Sequence, residues 1–227
     1  FMNEAPPPQC AVILAAGLGI RLRSVIGEIP KGLLKIDGIG LIERTLGKLA
    51  NLGIRDIFVV TGFKHELLEG KLSLHKGKSY NLKFIHNGLY DNSGSMESLY
   101  QLKDKIQTDF LLFESDLIYE NKALDVLLEF GSPDTILASG FTKSKDEVWI
   151  CGISQNSPSE ECEQGRIQFI NKKPNSHFTI QGELVGISWI SQSLYKSMCQ
   201  YHKEDKPKAV YDHYEENISR LSAEKEI

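Results

Sequence analysis

The sequence predicts an α/β fold built on a mainly parallel sheet. In the first half of the chain, short apolar runs alternate with amphipathic segments, and the first run, at 10–15, ends in a glycine-rich turn. This alternation indicates right-handed βαβ units, whose strands lie side by side in one sheet. The length of 227 residues fits one domain with at most a small subdomain.

The elements of the first half are predicted from apolar runs for strands and from apolar residues three or four positions apart for helices. Strands are expected at 10–15, 56–61, 82–86 and 109–114. Helices are expected between them, at 41–52, 65–72 and 95–102. Gly53 is a typical C-terminal cap for the first helix, and Ser93 or Ser95 is the expected N-cap of the third.

The pattern changes after Pro133, where apolar runs joined by polar turns indicate a mixed sheet. Strands are expected at 135–141, 148–154, 165–170 and 184–190. Two helices are expected to follow, at 193–201 and 211–221. The second half is thus predicted to extend the sheet of the first.

Composition excludes several classes of function. The net charge is −4 and no basic stripe is present, so nucleic acid is not an expected partner. No run approaches the roughly 18 apolar residues of a membrane span, so no membrane partner is expected. The four cysteines lack metal-ligand spacing and are expected to be free thiols in a reducing cytoplasm.

A glycine-rich turn with trailing cations points to a polyphosphate ligand. The first strand runs into Ala-Ala-Gly-x-Gly-x-Arg, with Gly17, Gly19 and Arg21, and Lys31 follows Pro30. Small residues let the backbone approach an anion closely, and consecutive N–H groups can then point at phosphate oxygens. Two other phosphate motifs fit less well: no Gly-Lys-Ser/Thr occurs nearby, and Leu22 stands where a dinucleotide fingerprint needs glycine.

This motif resembles the signature of the nucleoside-triphosphate-dependent nucleotidyltransferases, the superfamily of sugar-phosphate and choline-phosphate pyrophosphorylases. Its elements L-A-A-G-x-G-x-R and P-K-x-L are present, although Arg23-Ser24 replaces a frequent proline. The resemblance implies a Rossmann-like three-layer α/β/α nucleotidyltransferase fold with a mainly parallel mixed sheet. It also implies nucleotide contacts from the residues of the turn, which are Leu14, Ala15, Ala16, Gly17 and Gly19.

The same resemblance gives the two cations catalytic roles. Arg21 is expected on the β- and γ-phosphates, and Lys31 near the α-phosphate, where charge builds in the transition state. For Lys35, two interpretations stay open: a further phosphate contact, or a solvent-facing position in the alternating run Leu34-Lys35-Ile36.

Mg²⁺ is the expected cofactor, held by a few carboxylate oxygens. Asp116 follows the strand predicted at 109–114, at the place where the superfamily carries an aspartate, with Glu114 expected only to flank it. Residues 211–217 resemble the Tyr-Trp-Asp-Asn stretch of bacterial phosphocholine cytidylyltransferases, which makes Glu216 the second expected ligand. The alternative for this acidic run is an exposed helical face.

Two further segments resemble the bacterial phosphocholine and 2-aminoethylphosphonate cytidylyltransferases. Residues 92–100 are similar to their Asn-x-x-Ser-Leu-Tyr segment, which implies CTP and contacts to it from Asn87, Gly94 and Ser98. The segment 146–149 is similar to a Glu-Trp element of the choline box. Together the resemblances imply an acceptor site made by Asp146, Trp149, Asp212 and Tyr214.

The acceptor is expected to be a primary amine. Glu215 replaces an aromatic residue of the choline box, and a primary ammonium needs oxygen acceptors where a quaternary one needs aromatic faces. This favours 2-aminoethylphosphonate, or phosphoethanolamine, over phosphocholine. Open alternatives are a sugar 1-phosphate acceptor, a nucleotide-binding module without turnover, and solvated acids with Trp149 in the core.

The resemblance implies one nucleotidyltransferase domain over 11–227, with a nucleotide-binding part at about 11–120 and an acceptor and metal part at about 133–227. Residues 1–10 are expected to be a lead-in, with Phe1 before Met2 as the remnant of an expression tag. Members of the superfamily usually continue with a further strand and helix. The end of the chain is therefore expected to be truncated, to be disordered, or to join a fused or partner enzyme beyond Ile227.

Overall fold

The computed structural model describes residues 6–20, 27–75, 79–140, 148–154, 165–173 and 179–222. The strands are β1 Cys10–Ala15, β2 Lys35–Ile36, β3 Ile39–Gly40, β4 Asp56–Thr61, β5 Asn81–His86, β6 Phe110–Glu114, β7 Thr135–Ser139, β8 Trp149–Ser154, β9 Gly165–Asn171 and β10 Ile180–Ile190. The helices are α1 Leu41–Asn51, α2 His65–Ser73, α3 Ser95–Tyr100, α4 Asn121–Glu129, α5 Gln192–Glu204, α6 Lys206–Ala209 and α7 Tyr214–Leu221, with a 3₁₀ turn at Lys31–Leu33.

Eight strands form one mixed sheet in the order β5-β4-β1-β6-β10-β8-β9, with β7 paired to β10 off this path. The strands β5, β4, β1 and β6 are parallel, and β10 then runs antiparallel to β6. Strand β1 bonds on both sides, so Leu14 lies opposite Val60 of β4 and Glu114 of β6. Because these strands run in the same direction, their carboxyl ends meet at one edge of the sheet.

Alternate residues of the central strands feed two apolar cores, one on each face of the sheet. Val12 and Leu14 face a core with residues of α3, α5 and α7, while Ala11 and Ile13 face a core with residues of α1, α2 and α4. All six residues of β1 are buried. The helix-sheet-helix layering confirms the predicted three-layer fold with a mainly parallel mixed sheet.

Several predicted boundaries differ from the structure. The helix expected at 211–221 begins only at Tyr214, and the strand expected at 184–190 begins already at Ile180. The N-cap of α3 is Gly94 rather than either serine, because the Ser95 hydroxyl accepts the N–H of Tyr214 instead. The hairpin of β2 and β3 and the helices α4 and α6 were not predicted.

Lys35 occupies an exposed position in β2, which agrees with the solvent-facing alternative. Within the described residues, no helix has the length and apolar character that crossing a membrane requires.

Substitutions at two adjacent residues of α1 should change the free energy of unfolding in opposite directions. Leu46 is 1% exposed in the core, so Leu46→Ala should lower the free energy of unfolding by about 3 kcal/mol through lost contacts and a cavity. Gly47 is exposed, and an added Cβ meets no atom within 4 Å. Gly47→Ala should therefore raise the free energy of unfolding by about 0.5–1 kcal/mol through higher helix propensity. Urea unfolding measures both, and a destabilised Gly47→Ala would contradict the packing described for α1.

Candidate active site

A pocket of about 330 Å³ opens at the carboxyl ends of β1 and β6. Its walls come from four places: the turn after β1, the 3₁₀ turn with Lys31, the residues that end β6, and the start of α7. Helix α3, the residue before β8 and strand β10 complete the enclosure with Ser98, Val148 and Leu184 respectively. The pocket therefore joins residues from both halves of the chain.

The glycine turn and Lys31 fit against each other. Residues 14–17 form the pocket wall directly after β1. Gly19 lies behind that wall with φ +62, and a Cβ built there would lie 3.1 Å from Cγ and 3.3 Å from Cε of Lys31. The left-handed backbone and the close approach both favour glycine. The turn thus leaves room for the lysine side chain to reach the pocket.

Lys31 and Asp116 form an ion pair at the pocket, with 2.7 Å between Nζ and Oδ2. About a quarter of each side chain is exposed, 24% and 27% respectively. The residues are 85 positions apart in the chain, and the alignment of β1 with β6 brings them together. A cation and a hard-oxygen anion therefore stand side by side where the glycine turn ends.

Two further carboxylates, Glu114 and Glu215, lie on the pocket wall beside Tyr214. The Tyr214 hydroxyl donates a hydrogen bond to Oε1 of Glu114 over 3.1 Å. Burial, reinforced by the negative charges of Glu215 and Asp116, raises the pKa of Glu114 to about 7. Burial likewise raises the pKa of Glu215 to about 7, and Glu216 adds to the effect. These carboxyls favour a cationic or proton-donating partner.

The Oε2 atom of Glu215 is the clearest unsatisfied group of the pocket. It is buried and has no hydrogen-bond partner among the residues that the structure describes. An unpaired buried carboxylate oxygen is costly, so the site is built for a ligand that supplies a donor or a positive charge.

The start of α3 closes the pocket from another side. Gly94 donates its N–H to the carbonyl oxygen of Val210 over 2.8 Å, and a Cβ built on Gly94 would overlap the carbonyl oxygens of Tyr211 and Asp212. Only glycine allows this close approach between the two backbones. The contact locks the segment before α7 onto α3, which brings Tyr214 and Glu215 to the pocket.

Asn87 lies behind the wall and orders it. Its Nδ2 atom donates to the hydroxyls of Ser98 over 3.0 Å and Ser93 over 3.3 Å, and both serines line the pocket. Its Oδ1 accepts the N–H of Leu89 over 2.9 Å. Asn87 therefore fixes the hydroxyls of the wall rather than facing the pocket itself.

Most of the predicted site residues come together. The pocket is lined by residues 14–17 and by Lys31, Gly94, Ser98, Asp116 and Tyr214. Arg21 and Asp146 lie outside the described residues.

The structure places the acids of the 211–217 segment differently from the sequence-based expectation. Glu216 turns back to accept the N–H of His213 over 3.0 Å and caps α7, so Glu215 is the residue that faces the pocket. Asp212, expected to bind the acceptor, forms an ion pair with Arg220 instead. The start of α7 at Tyr214 determines this outcome, because adjacent residues of a helix point in directions about 100° apart.

Trp149, also expected to bind the acceptor, does not line the described part of the pocket. Val148 lines it, and Val148 and Ile150 pack on the same apolar core. Since side chains alternate along a strand, Trp149 faces the other side of the sheet.

Sequence reasoning gave Glu114 only a flanking role and did not assign Tyr90 or Lys172 to the site. The position of Glu114 at the carboxyl end of a predicted parallel strand was a usable signal, because ligands bind at that edge of such a sheet. No comparable local signal marks Tyr90 or Lys172, which reach the pocket from a loop after β5 and from the end of β9.

Among the described residues, no cluster of three or more His, Cys, Asp and Glu side chains is arranged to hold a metal ion. Mg²⁺ does not require such a cluster, because it commonly binds one or two protein carboxylates and completes its shell with substrate phosphates and water. Asp116 is a partly exposed carboxylate on the pocket wall.

The raised pKa values predict how stability depends on pH. Folding lifts the pKa of Glu114 and Glu215 from 4.5 to about 7, so the folded protein binds these protons more tightly than the unfolded chain. The contribution of these two carboxyls to the free energy of unfolding is complete below pH 4.5. It is lost as the pH rises through about 7. We expect the unfolding free energy of the ligand-free protein to fall between about pH 5 and about pH 8.

Glu215→Gln should flatten this fall, as measured by urea unfolding across that range. Glu129→Gln, at an exposed position in α4, is the charge-matched control and should keep the wild-type slope. A slope unchanged in Glu215→Gln would contradict the assigned environment of that carboxyl.

Comparison with known proteins agrees with this geometry. A "Bifunctional IPC transferase and DIPP synthase" of Aquifex aeolicus is 30% identical over 199 residues, which are 87% of this chain and 42% of the relative. A "CMP-5'-(3-aminopropyl)phosphonate synthase" of Streptomyces rubellomurinus is 27% identical over 139 residues, 61% of this chain and 22% of the relative. The chain thus spans less than half the length of both curated relatives.

Among solved structures, the inositol-1-phosphate CTP transferase from T. maritima superposes with a TM-score of 0.75. The match covers 100% of this chain and 85% of the other at 18% identity, which confirms the fold. The family model described as "MobA-like NTP transferase domain" matches residues 11–139, more than half of the chain. The match begins at β1 and includes the glycine turn, Lys31 and Asp116, so the chain belongs to the MobA-like NTP transferase family and has the sequence and fold of a nucleotidyltransferase.

Proposed function

We propose that this chain transfers the cytidylyl group of CTP to a small phosphonate or phosphate that carries a primary amine, with 2-aminoethylphosphonate as the first candidate. The observation that carries the proposal is one pocket lined by two chemically different sets of residues, which we assign to a nucleotide end and an acceptor end. Lys31 and the glycine turn form the first end, and the buried carboxylates Glu114 and Glu215 form the second.

The first end suits a triphosphate. The backbone of residues 14–17 and the ammonium of Lys31 offer donors and positive charge to phosphate oxygens. Asn87, Ser98 and the close contact at Gly94 order the wall beside them. The relatives named above include a CTP transferase and a CMP-phosphonate synthase, which supports CTP as the nucleotide.

Asp116 is the residue that we assign to Mg²⁺. Its carboxylate is partly exposed on the pocket wall just after β6, next to Lys31. Bound there, Mg²⁺ would neutralise phosphate charge and help to align the two reactants. Glu216, the second ligand expected from the sequence, caps α7 instead and receives no metal role.

The reaction needs positioning more than covalent help from the protein. An anionic oxygen of the acceptor attacks the α-phosphorus of CTP, the bond from that phosphorus to the bridging oxygen breaks, and pyrophosphate leaves. Lys31 stabilises the charge that develops on the α-phosphate oxygens. No general base is required, because a phosphonate or phosphate is already an anion at neutral pH.

The second end suits a primary ammonium better than a quaternary one. Among the described wall residues, the aromatic side chains are Tyr90 and Tyr214, and the Tyr214 hydroxyl is bonded to Glu114. A quaternary ammonium is held by several aromatic faces, whereas a primary ammonium donates three hydrogen bonds. Glu114 and the unpaired Oε2 of Glu215 provide oxygen acceptors for such donors. These oxygen acceptors favour an amine over choline.

A cyclitol phosphate is the second candidate. The Aquifex relative matches 87% of this chain, and the superposed T. maritima protein is described as an inositol-1-phosphate CTP transferase. Ring hydroxyls also donate to carboxylates, so Glu114 and Glu215 are compatible with this acceptor. The two candidates differ in charge. An ammonium needs an ionised carboxylate, whereas a ring hydroxyl can donate its hydrogen bond equally to a neutral amide oxygen.

We also place the protein in a reducing compartment, as expected for the cytoplasm. Cys10, Cys151 and Cys199 are free thiols.

Lys31→Ala tests whether the pocket performs nucleotidyl transfer. Loss of the ammonium should lower kcat by about a hundredfold or more, because its charge acts mainly on the transition state. Lys35→Ala, at the exposed position in β2, is the matched control and should retain wild-type turnover. Pyrophosphate release with CTP is the measurement. Equal loss in both variants, or no release by the wild type with any nucleoside triphosphate, would contradict the proposal.

Glu215→Gln tests the choice of acceptor. The wild type is assayed with CTP and 2-aminoethylphosphonate, phosphoethanolamine, phosphocholine, inositol 1-phosphate or glucose 1-phosphate. We expect the highest kcat/KM with 2-aminoethylphosphonate. Glu215→Gln should raise the KM for that acceptor about tenfold, the equivalent of about 1.4 kcal/mol, while the half-saturating Mg²⁺ concentration stays unchanged.

Glu216→Gln is the control one residue further along α7 and should leave the acceptor KM within about twofold of wild type. Three results would contradict the amine assignment. They are a faster reaction with phosphocholine or inositol 1-phosphate, an unchanged acceptor KM in Glu215→Gln, and a shift in its Mg²⁺ dependence, which would make Glu215 a metal ligand.

A further inference from the structure

A buried ionisable pair lies outside the pocket, between α3 and α5. The Oε2 atom of Glu97 and the Nε2 atom of His202 are 2.6 Å apart, and the two side chains are 2% and 0% exposed. The residues are separated by 105 positions in the chain. This contact therefore exists only because the fold packs α3 against α5.

Burying the Glu97–His202 pair between two helices costs desolvation free energy. Glu97 also accepts a hydrogen bond at Oε1 from Nε2 of Gln101 over 2.7 Å, and the ring of Tyr100 lies 4.9 Å from that of His202. The Nδ1 atom of His202 is buried without a hydrogen-bond partner among the described residues. Apolar side chains of similar volume would hold two helices together at least as well. A hydrogen-bonded pair, unlike an apolar contact, fixes the orientation of one helix relative to the other.

That orientation determines how α3 presents its pocket residues. The helix has six residues, of which Ser95 and Ser98 line the pocket while Glu97 points to α5. Rotating so short a helix moves Ser98, whose hydroxyl accepts from Asn87 over 3.0 Å. Asn87 in turn accepts the N–H of Leu89 and orders the loop before α3. A second contact, from the Tyr195 hydroxyl to the carbonyl oxygen of Leu99, ties α3 to α5 along its axis.

We propose that Glu97 and His202 are positioning residues for the nucleotide. The pair fixes the rotation of α3 about its axis, and thereby the Ser98 hydroxyl and the Asn87–Leu89 turn on the nucleotide side of the pocket. This inference rests on the proposed function, since it assigns that wall to CTP. The two ends of the pocket respond to the pair to different degrees. Ser98 lies on the nucleotide side, whereas α3 reaches the acceptor end only through Gly94 and Ser95 at its start. Disturbing the pair should therefore weaken CTP binding more than acceptor binding.

His202→Ala and His202→Gln test the inference. His202→Ala leaves Glu97 buried without its partner, and we expect the Kd and KM for CTP to rise about tenfold. The acceptor KM and the kcat at saturating CTP should stay within about threefold of wild type. His202→Gln retains an N–H donor toward Glu97 and should recover most of the CTP affinity. Calorimetric titration with CTP gives the Kd without turnover, and initial rates give both KM values.

Ser191→Ala is the control for a purely structural role. Ser191 caps the other end of α5, accepting the N–H of Leu194 over 2.9 Å and donating to Asp134 over 2.8 Å. Its loss should lower the melting temperature without changing the Kd for CTP. An equal rise of the CTP and acceptor KM values in His202→Ala, or the same CTP defect in Ser191→Ala, would overturn the proposal.

Glu97→Gln is the second variant, which tests the inference if His202→Ala does not fold. It keeps the size of the side chain and loses the charge and one acceptor, so the Kd for CTP should again rise by more than the acceptor KM does. An unchanged Kd for CTP in Glu97→Gln would overturn the inference. A wild type that binds no CTP would instead overturn the proposed function on which the inference rests.

Discussion

The parallel hydrogen bonding of β1 to both β4 and β6 is the constraint on which the rest of the molecule depends. Strand β1 is buried throughout and held from both sides in register, with Leu14 opposite Val60 and Glu114. Its carboxyl end therefore has one possible position, and the end of β6 lies beside it. The glycine turn, Lys31 and Asp116 meet there because the strands that precede them end together.

Burial of carboxylates distinguishes the second end of the pocket from the first. Lys31 and Asp116 are partly exposed and pair with each other, whereas Glu114 and Glu215 carry pKa values raised to about 7. Such groups destabilise the ligand-free protein above neutral pH, and a bound cation or donor relieves that cost. A site that is unfavourable when empty discriminates strongly, because a ligand without the matching charge leaves the cost in place.

The family match covers the nucleotide end of the pocket and part of its acceptor end. The matched residues, 11–139, carry the glycine turn, Lys31, Glu114 and Asp116, and the remainder supplies Tyr214 and Glu215. The part shared with the family thus holds the residues that we assign to nucleotidyl transfer. Of the residues that we assign to the acceptor, Glu114 belongs to β6 inside the match, whereas Tyr214 and Glu215 belong to α7 outside it. Residues outside the match can differ between members of one family, which changes the substrate without a change of reaction.

The sequence by itself determined the features that depend on a few neighbouring residues. The apolar run of β1, the small residues after it, Lys31 and Asp116 are recognisable locally, because strand periodicity and turn chemistry act over a few residues. Only the tertiary structure decided which acid of the 212–216 run faces the pocket and which side of the sheet Trp149 occupies. The first outcome depends on contacts of Gly94 with residues 210–212 and of Glu114 with Tyr214, each spanning about a hundred positions of the chain. The second depends on the pairing of β8 with β9 and β10. Local sequence cannot specify them, since a shift of one residue in a helix or strand turns every side chain to another face.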